Sequence, residues 1–307
     1  MRSSDGKIIS ERRVPTVSLA RYLEKQPTSR VIVETCAEAF SVADAALACG
    51  HEVRVVPAAL VRQLGVGERR TKTDQRNARK LSEVSCRIDL PSVHVPSTQS
   101  RERKSLCGMR EALVSSRTKL INTVRGWMRA QHLRCRGGGS TTFVARVGEH
   151  LAARRQAVPT YVERQLTMIG DLTVQIADAD RELLRLARED ALCCRLMTVP
   201  GVGSVTAVRF AAALDEIGRF PHAHAVEAYL GLTPGEHSSS DKQRRTSITK
   251  AGPTQLRWAL VQAAWSARRC RAKDPMVAWS IKIEQRRGRR IAIMALVRKL
   301  AGILYAI

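Results

Sequence analysis

Short β-branched runs alternate with helical stretches over the first hundred residues. Residues 30–35 (RVIVET) form an apolar run that ends at a carboxylate, and His51–Val56 form a second run. Between them, Ala37–Cys49 have helical composition and stop at a glycine. This order predicts a parallel strand pair in an α/β domain. We also expect a further strand at Lys7–Val14 and a closing extended stretch at Ser92–Val95.

Two long helices are predicted in the middle of the chain. Residues 105–133 carry apolar positions at helical spacing, and a glycine-rich joint follows at 136–140. The second helix, Tyr161–Glu189, has an apolar stripe close to the 3.5-residue period of a coiled coil. Such a stripe suits either a dimerising arm or two helices packed within one chain. Its members are Val162, Leu166, Ile169, Leu172, Ile176, Ala179, Leu183 and Leu186.

The remainder, from Ala191, is predicted to be helical, with Gly/Pro breaks at 200–203, 231–235 and 251–253. The expected organisation is therefore an α/β N-terminal domain over residues 1–100 and a helical, coiled-coil connector over 101–190. A mainly α C-terminal domain would then occupy 191–307.

The net charge of the chain indicates which class of partner it binds. The chain of 307 residues has 52 Lys and Arg against 28 Asp and Glu, a formal net charge of +24. Such an excess repels itself unless a polyanion neutralises it, and nucleic acid is the usual polyanion. A merely solvated basic surface is the alternative.

Cysteine usage and hydropathy indicate the compartment. The eight cysteines form no C-x-x-C pair and no zinc-like cluster with histidine, so reduced and mostly buried thiols are expected. The sequence contains no run of 18 apolar residues and no signal-peptide layout. We therefore expect a soluble, cytoplasmic protein with no membrane partner.

Three polar residues form a candidate metal site. Glu34 ends an apolar strand, where α/β sheets build their sites, and Asp74 and Asn77 stand three apart at the start of a predicted helix. Oxygen ligands of this kind suit a hard cation such as Mg²⁺. Two such ions would clamp the attacking and leaving oxygens of a phosphodiester. Simple capping of the helix by Thr73 or Asp74 is the alternative.

A glycine hairpin is a candidate phosphate-binding element. In TVPGVGSVTA, Gly201 and Gly203 bracket one apolar residue between two helical stretches. Bare backbone amides and the next helix N-terminus can grip a phosphate without reading sequence, as helix-hairpin-helix proteins do. An ordinary interhelical turn is the alternative.

A serine-rich segment follows further along the chain. GLTPGEHSSS precedes four cations, Lys242, Arg244, Arg245 and Lys250, so this segment suits phosphate. A serine here would be a nucleophile if another group activated it. A flexible loop with basic neighbours is the alternative.

Taken in this order, these segments resemble the insertion-sequence 110 family of transposases. The resemblance covers nearly the whole chain. Its most specific stretches are VIVETCAEAF, TKTDQRNARKLSE, TVPGVGSVTA and YLGLTPGEHSSSDKQRRTSITKAGPTQLRWALVQAAW. It implies an RNase H-like (RuvC-like) DEDD domain, then a coiled coil, then a helical transposase domain.

The resemblance also implies residue roles in the first half. Glu34 matches the family's second acidic residue and Asp74 the third, whereas the fourth, normally Asp, is Asn77 here. Asp5-Gly6 matches the turn after the family's opening strand, so that strand and its Asp are missing. Either the true start lies upstream of Met1 or this is a decayed or repurposed copy. An amide oxygen in place of a carboxylate should weaken Mg²⁺ binding.

In the second half, the resemblance places the family's nucleophilic serine at Ser239, with Ser240 where glycine is usual and Pro253 where asparagine is usual. It implies attack on a DNA phosphodiester to give a phosphoserine link, assisted by metal ions at the acidic site. It further implies a bridge-type guide RNA and a homo-oligomer, either dimer or tetramer.

Three functional hypotheses follow. The first is a DNA transposase acting through Ser239, Glu34 and Asp74. The second is a catalytically inactive relative that still binds nucleic acid, which the missing first Asp and Asn77 favour. A RuvC-like nuclease with an idle serine loop is a weaker third hypothesis, which a covalent protein–DNA adduct would exclude.

Overall fold

The computed structural model describes residues 1–63, 73–134, 137–236, 245–271 and 273–307. The chain divides into two compact units, Met1–Ser97 and Thr98–Ile307. The first is a mixed α/β unit and the second is almost entirely helical.

The first unit is built around a parallel strand pair. The helices are α1 (Leu19–Leu23), α2 (Ala39–Ala48), α3 (Ala58–Gln63) and α4 (Asp74–Ser85), and the strands are β1 (Arg30–Glu34) and β2 (Glu52–Val56). β1 pairs with β2 in parallel, in register from Arg30 opposite Glu52 to Glu34 opposite Val56. Helix α2 makes the crossover and packs Ala39 and Ala43 against Val55. The predicted strand–helix–strand order is confirmed.

Two predicted extended segments differ from expectation. Lys7–Val14 is not a strand; Ile8 makes only an isolated antiparallel bridge to Arg2. A bridge between residues so close in sequence only closes a turn. Gly6 lies in this turn with φ +84°, a backbone conformation that glycine adopts readily. Ser92–Val95 is not a strand, although it lies beside β2. It follows β2 through the Val93 amide, which donates to the carbonyl of Val55 at 2.8 Å.

The second unit begins with a long helical hairpin. Its helices are α5 (Thr98–Ala130), α6 (Phe143–Ala152) and α7 (Thr160–Glu189). Arg103 pairs with Asp190 and Arg110 with Asp180, so α5 and α7 run antiparallel. Five of the eight predicted stripe residues are buried within this chain. Val162, Leu166 and Ile169 lie in one core with residues of α5 and α6, and Leu183 lies in a core with the helices that follow α7. Of the two interpretations of the stripe, packing within one chain is therefore the one that these contacts support.

The rest of the second unit forms the largest core. It contains α8 (Ala191–Leu196), α9 (Ser204–Leu214), α10 (Ala223–Tyr229), α11 (Thr254–Cys270), α12 (Pro275–Arg287) and α13 (Arg289–Ala306). A short antiparallel pair, β3 (Pro234–Glu236) and β4 (Arg245–Ile248), lies between α10 and α11. Leu183 and Ala187 of α7 belong to the same core as Leu260 and Leu296, so the base of the hairpin packs on these helices.

The seven cysteines in the described ranges are free thiols. Of these seven, only Cys107 and Cys193 are buried, so the expectation of mostly buried thiols was wrong for the described part of the chain. Burial raises the pKa of Cys193 to about 12, helped by the carboxylate of Asp190. That thiol stays protonated near neutral pH and acts as a small apolar side chain.

Candidate functional site

The carboxyl end of β1 brings two predicted site residues together. Glu34 is the last residue of this strand, and Asn77 lies in the first turn of α4. The Asn77 Nδ2 donates to the Glu34 Oε2 at 3.0 Å, across 43 positions of sequence. Parallel strands direct their carboxyl ends to one edge of the sheet, where α4 meets them.

Asn77 has unused hydrogen-bonding capacity. Its side chain is 6% exposed, and its Oδ1 is buried without a hydrogen-bond partner. A buried amide oxygen without a partner costs free energy. An amide oxygen of this kind can be a ligand of a hard cation.

Asp74 occupies a different environment on the same helix. It is the first residue of α4 and is exposed, although it stands three residues before Asn77. Thr73 is the N-cap, and its Oγ1 accepts from the Arg76 amide at 3.3 Å. The capping alternative is thus confirmed for Thr73, while the carboxylate of Asp74 is free to interact favourably with the helix dipole.

The donor set is small for a metal centre. Among the residues that the structure describes, no three His, Cys, Asp or Glu side chains form a group that could hold a metal ion. Glu34 and Asn77 bring one carboxylate and one amide group together at the end of β1, and Asp74 is exposed on the same helix as Asn77. Mg²⁺ commonly takes only one or two protein carboxylates and completes its shell with water and phosphate. Glu34 and Asn77 therefore suit such an ion as a partial set of ligands, with less negative charge than four acids would give.

The glycine hairpin connects α8 to α9. Gly201 has φ +84°, and a Cβ there would overlap the carbonyl oxygen of Ala263 and lie 2.7 Å from the amide nitrogen of Ala267. Gly201 is therefore required for the close packing of this loop on α11. The sequence indicated glycine here for phosphate access and missed this packing role.

Gly203 differs from Gly201. It is exposed, its φ is −102°, and a Cβ would meet nothing within 4 Å. Gly203 precedes the N-terminus of α9, next to a cleft of about 440 Å³ that Thr198 and Arg271 also line. The first turn of α9 has no acidic residue, so its positive dipole end is open to an anion.

Helix α9 is held in place by a buried arginine. Arg209 is 7% exposed and donates to the carbonyl of Cys107 at 3.1 Å and to Glu111 at 3.0 Å, both on α5. It also reaches Gln255 of α11 at 3.3 Å. This cation is committed to packing and is not available to a phosphate.

Much of the serine-rich segment lies outside the described residues. Ser239, Lys242 and Arg244 belong to that part, and of Arg245 only the backbone is described, at the start of β4. The strands β3 and β4 flank the segment and pair antiparallel, with Pro234 opposite Ile248.

Lys250 is exposed and has a left-handed backbone, with φ +56°. Its amide donates to the Gly231 carbonyl at 3.1 Å. Gly231 and Gly252 let the two segments approach so closely that a Cβ on either would overlap backbone atoms of the other segment. A non-glycine residue held at positive φ stores strain, which is frequent at functional sites.

A second basic cluster stands out in the structure more than in the sequence. Arg286, Arg287, Arg289 and Arg290 surround Gly288 at the turn between α12 and α13, and all are exposed. The basic run at 281–299 was visible in the sequence, but its gathering at one turn was not. Within the described ranges, no helix is long and apolar enough to cross a bilayer.

Comparison with known proteins covers both units. A family model described as a DEDD-type transposase of the IS110 group matches residues 2–132, and one described as the "Transposase IS116/IS110/IS902 family" matches residues 193–276. The first match contains Glu34, Asp74 and Asn77, and the second contains the glycine hairpin.

Individual relatives agree. A "Probable family 20 transposase" of Pseudomonas aeruginosa is 28% identical over 98% of this chain and 90% of its own length. The "Transposase for insertion sequence element IS1111A" of Coxiella burnetii is 27% identical over 98% and 84%. That of element IS1328 of Yersinia enterocolitica is 28% identical over 84% and 77%.

The DEDD-type model suggests dependence on a divalent metal, and its name implies action on DNA. One model matches the N-terminal unit and the start of the second unit, the other matches residues further along the second unit, and the relatives are aligned nearly end to end. The chain is therefore an insertion-sequence transposase, similar over most of its length to the IS110 group.

Proposed function

We propose that this chain cuts and rejoins DNA through Ser239, with an acidic site at Glu34 and Asp74 in its N-terminal unit. The observation that supports the acidic site best is the meeting of Glu34 and Asn77 at the end of β1. Glu34, Asp74 and Asn77 match three of the four acidic positions that the family resemblance implies. In this proposal the N-terminal unit is RNase H-like.

The proposed reaction conserves phosphodiester bonds. The Oγ of Ser239 loses its proton and attacks a DNA phosphorus, one P–O bond forms, and the bond to a sugar oxygen breaks. The sugar oxygen takes up a proton, and the strand is held as a phosphoserine. A second sugar hydroxyl reverses these steps, so rejoining needs no external energy source.

Glu34 and Asp74 would hold Mg²⁺, together with the amide oxygen of Asn77. The ion would supply Lewis-acid polarisation of a phosphoryl oxygen. Asn77 now donates its N–H to Glu34, so its amide must turn before its oxygen can face a cation. This competing hydrogen bond and the missing charge both lower the expected affinity for Mg²⁺.

We further propose that α8 and α9 act as a helix-hairpin-helix that grips the DNA backbone at Gly203, with Lys242, Arg244, Arg245 and Lys250 as additional phosphate contacts. Gly201 supports this grip by fixing the loop on α11. A bridge-type guide RNA and a homo-oligomer are proposed on the resemblance alone, as is the division near residues 100 and 190. The net charge of +24 favours polyanionic partners of either kind.

A covalent adduct tests the nucleophile. The full chain is incubated with Mg²⁺ and DNA carrying the element's ends, then analysed on a denaturing gel for protein linked to DNA. Ser239→Ala should abolish both adduct and recombination, whereas the neighbouring controls Ser238→Ala and Ser240→Ala should retain them. Recombination by Ser239→Ala at the parental rate would remove the assignment.

One observation favours the second candidate, an inactive nucleic-acid-binding relative. Asn77 replaces an acid and satisfies the Glu34 carboxylate with a neutral N–H, as a site without metal would require. This candidate predicts salt-sensitive DNA binding and no cleavage with Mg²⁺ or Mn²⁺. Metal-dependent cleavage by the unaltered chain would exclude it.

A further inference from the structure

A groove of about 430 Å³ lies where the β3–β4 pair meets α12 and α13. Its base reaches the core at Leu232, which is fully buried, and its edge reaches solvent at Ile291, which is 51% exposed. Apart from three arginines, its lining side chains are apolar, chiefly Leu232, Pro234, Ile248, Ile283, Ile291 and Met294. The groove is thus an open apolar slot in a very basic unit.

Three arginines contribute to the lining of this slot. Arg286, Arg287 and Arg298 line it. Arg298 is neutralised by Glu227, to which it donates two hydrogen bonds of 2.7 and 3.1 Å. Within the described parts of the chain, Arg286 and Arg287 form no ion pair.

The next turn adds positive charge. Arg289 and Arg290 follow across Gly288 and open α13, whose first turn has no acidic residue. Cations at a helix N-terminus oppose the helix dipole, and four arginines in one turn repel each other. Arg289 stacks over the Trp265 ring at 4.7 Å from its centroid, which relieves part of the strain at that one position. An anion bound beside Arg286 and Arg287 would reduce the remaining repulsion, so an anion is the ligand that suits the cluster.

The two features together select a ligand with a flat apolar face and an attached anion. Inorganic phosphate would use the arginines and leave the slot empty, and an apolar peptide would fill the slot and leave the arginines unneutralised. A nucleotide uses both, because its base has apolar faces and its phosphate is charged.

We infer that this groove holds one unstacked base of a DNA strand, whose phosphates lie against Arg286 and Arg287. This inference rests on the proposed action on DNA. Extracting a base from a duplex costs a few kcal/mol and costs least in single-stranded or distorted DNA. The groove would therefore favour strands that are already open, and β3 and β4, which line it, flank the segment that contains Ser239.

A fluorescent base tests the groove directly. The full chain is titrated into a single-stranded oligonucleotide that carries 2-aminopurine between adenines, where stacking quenches the emission. Binding should raise the emission several-fold as the base leaves the stack. Ile291→Asp should abolish that rise while changing overall affinity by less than about three-fold, because the phosphate contacts remain.

A matched control is available in the same unit. Ile217 is 50% exposed and does not line the groove, so Ile217→Asp should keep the full emission rise. Both variants should melt within a few degrees of the parent. Arg286→Ala with Arg287→Ala should lower DNA affinity roughly ten-fold and reduce the magnitude of the salt slope by about two.

The outcomes separate this inference from the proposed function. Binding without an emission rise, or a rise that Ile291→Asp retains, overturns the groove inference and leaves the transposase mechanism intact. Failure to bind any DNA overturns the proposed function itself. Loss of a concentration-dependent dimer in Ile291→Asp, seen by sedimentation, would show that a second copy occupies the groove, which also overturns the inference.

Discussion

Asn77 binds the carboxylate of Glu34 through a neutral hydrogen bond, which a second carboxylate at this position could not form unless it were protonated. Its amide donates to Glu34, whereas two ionised carboxylates at that separation would repel each other. The present pair is therefore held together without a cation, whereas a cation would stabilise an Asp at this position. This single residue decides how strongly the site depends on metal.

Asn77→Asp should lower the free energy of unfolding of the metal-free protein by about 1–3 kcal/mol, because a buried hydrogen bond is replaced by repulsion. Millimolar Mg²⁺ should restore part of that loss, while the parent should respond less. Thermal melts with and without Mg²⁺ measure both effects. Asn77→Ala is the control, since it loses the hydrogen bond without gaining charge; equal Mg²⁺ responses in both variants would contradict the prediction.

Lys250 combines an exposed charge with a strained backbone. Lys250→Gly should raise the free energy of unfolding by about 0.5–1 kcal/mol, because glycine adopts φ +56° without strain. It should also weaken DNA binding and reduce the salt slope by about one. Fluorescence anisotropy at several salt concentrations and a thermal melt check the two effects separately.

Lys250→Ala is the companion variant. It removes the same charge without relieving the strain, so it should lose the same DNA affinity and gain no stability. An unchanged affinity in both variants would show that Lys250 makes no phosphate contact.

Among the elements, the α8–α9 connection shows that two similar glycines have different roles. Gly201 is packed against α11 at positive φ, and Gly203 is open to solvent at the start of α9. If the motif is interpreted only as a phosphate-binding loop, the two glycines are equivalent. The space around each glycine distinguishes their roles, because a Cβ would clash with α11 at Gly201 and would meet no atom within 4 Å at Gly203.

Gly201→Ala should destabilise the C-terminal unit by about 2–4 kcal/mol, because the new methyl group overlaps the α11 backbone and the residue must hold φ +84°. Gly203→Ala should change stability by less than about 1 kcal/mol and should weaken DNA binding by crowding the amides at the α9 N-terminus. Thermal unfolding and anisotropy measure the pair. A stable Gly201→Ala variant would refute the packing role.

In the α5–α7 hairpin, much of the apolar stripe of α7 is buried against other helices of the same chain. Ile169 and Leu183 are buried within the chain, so a second copy is not needed to cover them. Exposed Met109, Met168 and Val174 remain on the same two helices. The proposed homo-oligomer therefore has to use a surface other than the buried stripe.

For the whole molecule, the net charge of +24 makes salt the most informative variable. If six or more phosphates are contacted, affinity for duplex DNA should fall by roughly 10³-fold or more between 50 and 200 mM salt. Equilibrium anisotropy with a labelled duplex measures this, with heparin as a competing polyanion and neutral dextran as the control. An affinity independent of salt would favour the merely solvated basic surface.

The sequence by itself determined the order of elements, since periodicity and glycine placement are local signals. The parallel β1–β2 pair, both long helices and the helical C-terminal region were all predicted from it. The family segments likewise indicated a transposase, because four specific stretches in one order are a strong signal. Lys7–Val14 was predicted wrongly, because a β-branched composition does not provide a neighbouring strand.

Only the tertiary structure decided the matters that depend on distant neighbours. The bond between Asn77 and Glu34 joins residues 43 positions apart, and the tight fit of Gly201 depends on the backbone of α11. The groove beside Arg286 and Arg287 exists only because two helices and a strand pair meet there. Local patterns specify which side chains are present, but packing across the chain decides which of them face each other and which face a ligand.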